Sequence, residues 1–349
     1  MTNNKAKYII VGAGLSGLTS AYVLNRQGET DFFVLESRDR IGGRILTENE
    51  IDFGATWFQN DHENVIDLIN NLNIDKFHQY SKGKSVLVYN TMGPAHYFEK
   101  DSNTPSAFRV VGGSMAMINA LASGIETKIK TATTVLEIKE EKDGVLLTTN
   151  KGRYKAEKII ITIPPRIAPR ILFNPELPES LIKTINNTHT WMSNAIKVGL
   201  TFRSPFWRHK YMSGMIIGQT GAVTELYDHS DVNEKTHALM GFINEGLRDV
   251  SKVERKTKVL NYLQKHLGEE VLDYITYKEK DWSKDRNTSC ETIKSIYMSP
   301  RYGNSKFESF YLNGKVLFSG TETSSVYGGY MDGAVYSGVK AAKNLLSKS

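Results

Sequence analysis

The first forty-odd residues restrict the fold of this chain more than any other stretch. Tyr8-Ile9-Ile10-Val11 is a short apolar run with a β-branched bias, which reads as a buried strand. Gly12-Ala13-Gly14-Leu15-Ser16-Gly17 follows at once. Residues 18–27 have the make-up of a helix, and Gly28 is placed to end it. Residues 31–35 form a second strand with Glu36 at its tip. Strand, glycine turn, helix, strand and acid in this order are the fingerprint of a dinucleotide-binding unit. Gly12 permits the tight turn, Gly14 lets backbone approach a pyrophosphate, and Gly17 lets the helix pack close to the strand. The helix N-terminus offers free N–H groups and a partial positive charge to phosphates. Glu36 follows the last glycine at about 20 residues, the spacing of an acid that binds ribose hydroxyls.

The fingerprint alone does not separate NAD from FAD. The next stretch, Ser37-Arg38-Asp39-Arg40-Ile41-Gly42-Gly43-Arg44, leans to FAD. Two glycines and an arginine supply flexible backbone and a second cationic fork for a phosphate. The alternative for this stretch taken alone is a solvated loop with a surface arginine.

With 349 residues the chain can bury a large core, in two domains. The net charge of +6 could draw an anion, but Lys and Arg are dispersed with no basic block interleaved with aromatics, so no nucleic-acid partner is expected. Cys290 is the only cysteine, and the eight histidines show no HExxH-like spacing, so neither an internal disulfide nor a metal site is expected. One cysteine fits a reducing compartment, and a cytoplasmic location is expected. The polar start at residues 1–7 and the lack of an apolar run of ~18 residues predict neither a signal peptide nor a membrane span.

Further along, residues 61–74 read as a helix and 85–89 as a strand. Gly112-Gly113 is a loop, and Ser114 is an N-cap for a helix over 117–122. Strands over 131–139 and 145–149 flank an Asp143-Gly144 turn, and the apolar strand 158–163 stops at Pro164-Pro165. Residues 191–202 alternate as a strand, with Lys197 interrupting the apolar tone; spacing alone would leave that lysine on the solvent face. Strands recur at 211–217, 222–227 and 237–243, then an amphipathic helix at 251–267 with Val253, Val259, Leu260 and Leu263 on its apolar face. The strand at 314–323 and the helix opened by Gly328-Gly329-Tyr330-Met331-Asp332-Gly333 cannot bury themselves alone, so they must rejoin the first sheet. The fold class is therefore mixed α/β (α+β): a Rossmann-like dinucleotide-binding domain, and a discontinuous, shortened second domain on a mixed sheet with helices. The expected boundaries are 1–60, 108–186 and 286–349 for the cofactor domain, and 61–107 with 187–285 for the substrate domain.

These residues together resemble the FAD-dependent amine oxidases, the monoamine oxidase-like group. The motifs are Gly12-x-Gly14-x-x-Gly17 with Glu36, Gly42-Gly43-Arg44, Val111-Gly112-Gly113-Ser114, Ile163-Pro164-Pro165, Lys197 followed by Pro205-Phe206-Trp207-Arg208, Trp282, Gly320-Thr321-Glu322-Thr323 and Gly329-Tyr330-Met331-Asp332-Gly333-Ala334-Val335. They run in family order from residue 8 to the last helix, a combination far more specific than the fingerprint alone. The resemblance implies that Gly12, Gly14, Leu15, Ser16 and Gly17 hold the pyrophosphate, with Glu36, Ser37 and Arg38 near the adenosine ribose. It implies Gly42, Gly43 and Arg44 near pyrophosphate and flavin, and Val135 against the adenine. Gly320, Thr321, Glu322, Met331 and Ala334 would meet the ribityl chain and flavin pyrimidine. Lys197 would hold a water against the flavin N5, and Tyr330 would wall an aromatic cage for the amine. Trp57, Trp282, Tyr327 and Thr292 complete the implied substrate pocket.

Two departures limit the carry-over. The stretch between Trp57 and Gly112 is much shorter than in large family members, so substrate choice does not transfer, and a homodimer partner could complete the pocket. Counted from Trp282, the positions of a flavin-bonded cysteine and a second cage tyrosine fall on Glu291 and Thr292, so non-covalent FAD is expected. The implied reaction takes a hydride from the carbon next to a small-molecule amine, giving an imine, with O2 reoxidising FAD to hydrogen peroxide. A flavoprotein oxidase or desaturase acting on a non-amine substrate, a non-catalytic flavoprotein and an NAD-dependent enzyme remain as alternatives.

Overall fold

Strand β1 (Lys5–Val11) is apolar on both faces from Tyr8 onward, and a strand of that kind must be covered on both sides. In the computed structural model, which describes residues 4–90, 93–101, 104–290 and 301–347, it is the centre of the first sheet. It pairs in parallel with β2 (Phe32–Leu35) on one side and with the strand Gly152–Ile161 on the other. The helices that bear on the site are α1 (Leu15–Arg26), α2 (Glu63–Asn71), α3 (Met115–Ala122), α4 (Lys252–Leu267) and α5 (Met331–Leu346).

The strand Gly152–Ile161 has two roles. Its first half closes an antiparallel meander with Gly144–Thr149 and Val135–Glu141. Its last residues pair in parallel with Val316–Phe318, which brings the end of the chain back to the first sheet. Helix α5 then packs along α1. Gly338 makes this close: a Cβ there would meet Ser16 O at 2.5 Å. Ser20 Oγ donates to Gly338 O at 2.9 Å, so the small-residue seam is also hydrogen-bonded.

The second sheet runs in the order Thr276–Asp281, Ile196–Phe202, His237–Ile243, Val223–Asp228, Met212–Gly218, Lys84–Val88, His96–Glu99. One face packs on Val259, Leu263 and Leu267 of α4, forming a core separate from that around β1. The Pro205-Phe206-Trp207-Arg208 motif serves this sheet. Trp207 Nε1 donates to Asp228 Oδ2 at 2.7 Å, and Arg208 grips both oxygens of the same carboxylate.

Three elements differ from the sequence pattern. The strand foreseen over 131–139 begins only at Val135, because Ala132 takes φ 50° and the N–H groups of Ala132 and Thr133 are spent on Arg38 O and Glu36 O. The strand foreseen from residue 191 begins at Ile196; Trp191–Asn194 is a tight turn anchored by Trp191 Nε1 donating to Gly329 O. On α4, Val253 is 79% exposed, while Arg255 is buried and donates to Glu279 Oε2 and three backbone carbonyls. A paired guanidinium thus occupies the inner face that periodicity gave to a valine. Among the described residues no helix is long and apolar enough to cross a membrane, and no His, Cys, Asp or Glu cluster could hold a metal.

Gly338→Val is expected to lower unfolding stability by about 3 kcal/mol or more, since backbone lies where the side chain must go. Urea unfolding checks this; an unchanged midpoint would mean that the α1–α5 seam does not carry the packing described.

Candidate active site

Between β1 and α5 runs one long cleft. At its centre α1 starts with Gly14 as N-cap, no side-chain cap and no acid in its first turn. Its first N–H groups therefore lack intrahelical partners and face an anion-sized space. Gly12 adopts φ 111°, the left-handed side that glycine tolerates. Gly43 sits so close to Gly14 that a Cβ on it would meet the Gly14 Cα at 3.1 Å. Leu15, Ser16, Gly42 and Arg44 line the same stretch. Gly17 does not: its missing Cβ would clash with Gly12 O at 2.0 Å, so it serves packing.

One end of the cleft is formed by Glu36, Ser37, Arg38 and Val135. Glu36 is buried; its Oε2 accepts from Ala13 N and its Oε1 from Arg38 N, both at 2.8 Å. Oε1 also accepts from Ser37 Oγ at 3.4 Å, while Oε2 keeps a second acceptor site for a hydroxyl. The other end is formed by Gly320, Thr321, Tyr330, Met331 and Ala334. There α5 begins with no side-chain cap. Asp332 in its first turn is turned away: it accepts from Val65 N and Asn64 Nδ2 at 2.9 and 2.8 Å and so caps α2. The positive end of α5 is left facing the cleft.

A cleft with an uncapped helix start at its middle, a ribose-type acid at one end and a second helix start at the other has the layout FAD needs. The comparison with known sequences agrees. The family described as flavin containing amine oxidoreductase matches residues 15–97 and 89–346. The chain belongs to this family. A flavin-containing amine oxidase of Oncorhynchus mykiss is 26% identical, over 98% of this chain and 86% of that one. A protein described as a probable flavin-containing monoamine oxidase A in Dictyostelium discoideum is 24% identical, over 97% of both. The first alignment spans 458 positions against a chain of 349, so more than a hundred positions lack a counterpart here. Among solved structures, cyclohexylamine oxidase from Brevibacterium oxydans matches 98% of this chain and 99% of its own with a TM-score of 0.85 at 22% identity. Putrescine oxidase bound to putrescine matches with the same TM-score, 98% and 99% coverage and 21% identity. Likeness at that identity speaks for the fold.

Within the flavin-containing amine oxidoreductase frame, each remaining residue has a definite place. Arg44 is half-buried and paired bidentately with the buried Glu322, its Nη2 3.0 Å from Oε2 and its Nη1 on Oε1. Thr190 Oγ1 donates to Glu322 Oε1 at 2.7 Å. Burial opposes both charges, yet the pair holds Arg44 above and Glu322 below their ordinary values. Glu322, foreseen in direct contact with the flavin, does not line the cleft; it is bonded to Arg44, which does.

Lys197 is buried, not on the solvent face that spacing alone favoured. Its Nζ donates to Asp52 O at 3.2 Å, Gly54 O at 2.6 Å and Thr56 Oγ1 at 2.9 Å. It stands behind the cleft, next to Ala55, which lines it. Burial pulls its pKa from 10.5 to about 7; Asp52 and Glu225 oppose the drop and Arg109 adds to it.

Tyr330 stands at the rim, 57% exposed. The His62 ring lies 5.2 Å from it and 4.6 Å from the ring of Tyr327. Tyr327 lies outside the lining and donates to Asp61 Oδ2 at 2.7 Å. Trp57 is half-buried, donates to Gln79 Oε1 at 2.7 Å and carries the Lys197 Nζ 5.3 Å from its ring. Trp282 is fully buried, with Nε1 donating to Phe53 O at 2.7 Å. Its place in the pocket wall is thereby corrected: it packs beneath the segment that holds Lys197. Thr292 lies outside the described residues.

Sequence reasoning missed Trp191, Arg170, Arg286 and Asn287, all of which line the cleft. Arg38 Nη2 reaches Asp285 Oδ1 at 2.7 Å and Thr288 Oγ1 at 2.9 Å, so the 285–288 turn is tied to the Glu36 end. No spacing rule announces these partners. A tryptophan standing just before a strand was the one hint for Trp191.

The depressed Lys197 pKa has a stability consequence. Between about 7 and 10.5 the unfolded chain holds the lysine proton and the folded chain does not, so this group makes stability rise with pH across that window. In Lys197→Met that rise should disappear when unfolding is followed from pH 7 to 10. An unchanged slope would show that Lys197 titrates normally when folded.

Proposed function

FAD-dependent amine oxidation is the activity of the family, and we propose how this chain's residues perform it. Bound in the cleft, FAD supplies the acceptor for a hydride from the carbon next to a small-molecule amine, giving an imine that water hydrolyses, with O2 as the final acceptor and hydrogen peroxide released. The uncapped start of α1 binds the pyrophosphate, and Glu36 accepts from the ribose hydroxyls. Arg44, held by Glu322 and Thr190, fixes a phosphate or the ribityl chain with one orientation. The N-terminus of α5 at Met331, without a side-chain cap, would favour negative charge on a bound flavin. Residues 1–60, 108–186 and 286–349 form the cofactor domain in this reading, and 61–107 with 187–285 form the substrate side.

The observation that carries the chemistry is Lys197. An ammonium with a pKa near 7 among neutral acceptors is poised to give and take a proton at Nζ. We assign it the task of holding a water at the flavin edge. The amine must be neutral to react, and the aromatic surroundings of Tyr330 and Trp191, which line the cleft, disfavour its charged form at the reacting end. Glu291, at the position that the resemblance gives to a flavin-bonded cysteine, supports non-covalent FAD. A cytoplasmic setting, and a homodimer that would cover the shortened substrate side, belong to the same proposal.

The purified protein is expected to be yellow, to release FAD on denaturation, and to lose its colour anaerobically with amines. Peroxide should form when air is readmitted. Bleaching by reduced nicotinamide or by an alkene-forming substrate, with no amine active, would favour a different flavoprotein reaction. In Lys197→Met the reduction rate should fall by about 10²-fold or more, the usual scale for a lost proton-handling group.

A further inference from the structure

The Val111-Gly112-Gly113-Ser114 motif lines no part of the cleft, yet it leads to a buried carboxylate beside Lys197. Gly112 and Gly113 take φ of 78° and 79° and deliver the chain to the start of α3. Gly113 passes so close to Asp52 that a Cβ on it would meet Thr47 Oγ1 at 2.9 Å and Asp52 Oδ1 at 3.0 Å. Ser114 stands at the N-cap but does not cap with its side chain. Instead Ser114 N donates to Asp52 Oδ1 at 3.0 Å and Ser114 Oγ to Oδ2 at 3.4 Å. Met115 N donates to Thr47 Oγ1 at 3.0 Å, which leaves the Thr47 proton for Asp52 Oδ1 at 2.5 Å. Asp52 is thus seated at the positive end of α3 by donors that favour its ionised form.

All of those donors are neutral, and Asp52 is fully buried. Burial outweighs them and holds its pKa above the ordinary carboxylate value, so an anion there needs cations nearby. His229 Nε2 lies 3.8 Å from Oδ2, but it accepts from Asp52 N at 3.1 Å and is therefore the unprotonated nitrogen of a neutral ring. Arg109 spends its guanidinium on Ser230 O and His229 O. Lys197 Nζ donates to the main-chain oxygen of Asp52 itself, at 3.2 Å. A carboxylate lies within about 5 Å of its own carbonyl oxygen, so the two charges are at most about 8 Å apart, without water between buried groups to screen them. The other charges that face Lys197 count for less or against it. Glu225 opposes the loss of its proton less than Asp52 does, and Arg109 promotes that loss. Lys280, opposite Lys197 on the neighbouring strand, is turned onto Asp285 Oδ2 at 3.3 Å.

We propose that Asp52, seated by the Gly112-Gly113-Ser114 turn and α3, is the counter-charge that keeps a proton on Lys197. It is a positioning residue, acting through Lys197 and touching neither flavin nor amine. What the proton is used for rests on the amine-oxidase reading above; the coupling of the two charges does not. An anion at that distance raises the proton affinity of the lysine, and by linkage the ammonium lowers that of the carboxyl by the same factor.

The test is carbon-13 NMR of the FAD-bound protein with lysine labelled at Cε and aspartate at Cγ, titrated with pH, for the wild type, Asp52→Asn and Lys197→Met. The Lys197 signal is the one lost in Lys197→Met, and the Asp52 signal is the one that titrates above the ordinary carboxylate value. Asparagine keeps the size of the side chain and an acceptor for Thr47 and Ser114. The wild-type Lys197 midpoint should lie at about 7. In Asp52→Asn it should fall by about one pH unit or more. The Asp52 midpoint should rise by a similar amount in Lys197→Met, and this arm decides the question if Asp52→Asn does not fold. An unmoved or raised Lys197 midpoint in Asp52→Asn, or an unmoved Asp52 midpoint in Lys197→Met, overturns the proposal. Coupled titrations in a protein that oxidises no amine uphold it and sink the enzymatic reading alone.

Discussion

A buried ion pair between Arg44 and Glu322 joins the two ends of the chain across the cleft. Arg44 comes from the segment just after β2, Glu322 from the turn before α5, and Thr190 from the middle of the chain. Neither charge would be tolerated there alone, since an unpaired buried ion costs several kcal/mol. The pair therefore requires the N- and C-terminal segments to meet, and their meeting creates the cleft. The parallel pairing of Ile159–Ile161 with Val316–Phe318 and the Gly338 seam between α1 and α5 hold the same geometry from the other side.

The second sheet is tied to the cleft by a different constraint. Lys197 belongs to the second sheet, but its three acceptors belong to residues 52–56, which line or back the cleft. One desolvated ammonium thus ties the sheet to the cofactor region. Trp282 supports the same segment from beneath through Phe53 O. The family match breaks where its two matched stretches overlap, at residues 89–97, between the strands Lys84–Val88 and His96–Glu99. The alignment with the Oncorhynchus mykiss relative holds more than a hundred positions that have no counterpart here.

The βαβ half of the cleft was legible in the sequence because its contacts are local. Gly12, Gly14 and Glu36 lie within one βαβ unit and line one cleft, and their spacing foretold that. Lys197 was not legible by spacing, because its acceptors lie more than 140 residues earlier in the chain. The resemblance singled it out where periodicity pointed to solvent. Periodicity also misplaced Val253, because the buried inner face is held by Arg255 and its partner Glu279 lies on another element. Trp282 was assigned to a pocket wall on the strength of its motif, yet the motif marks a structural tryptophan. Trp191, Arg170 and Arg286 reach the cleft from loops, where side-chain position depends on tertiary contacts.

The central claim is that the Arg44–Glu322 pair builds the FAD cleft. It is tested most directly by titrating apo-protein with FAD and following flavin fluorescence, for the wild type and Glu322→Ala, with far-ultraviolet circular dichroism to report the fold. The account predicts a native spectrum with FAD affinity lower by about 10²-fold or more, on the scale of breaking a buried charge pair. A folded variant that binds FAD as tightly as the wild type would contradict it.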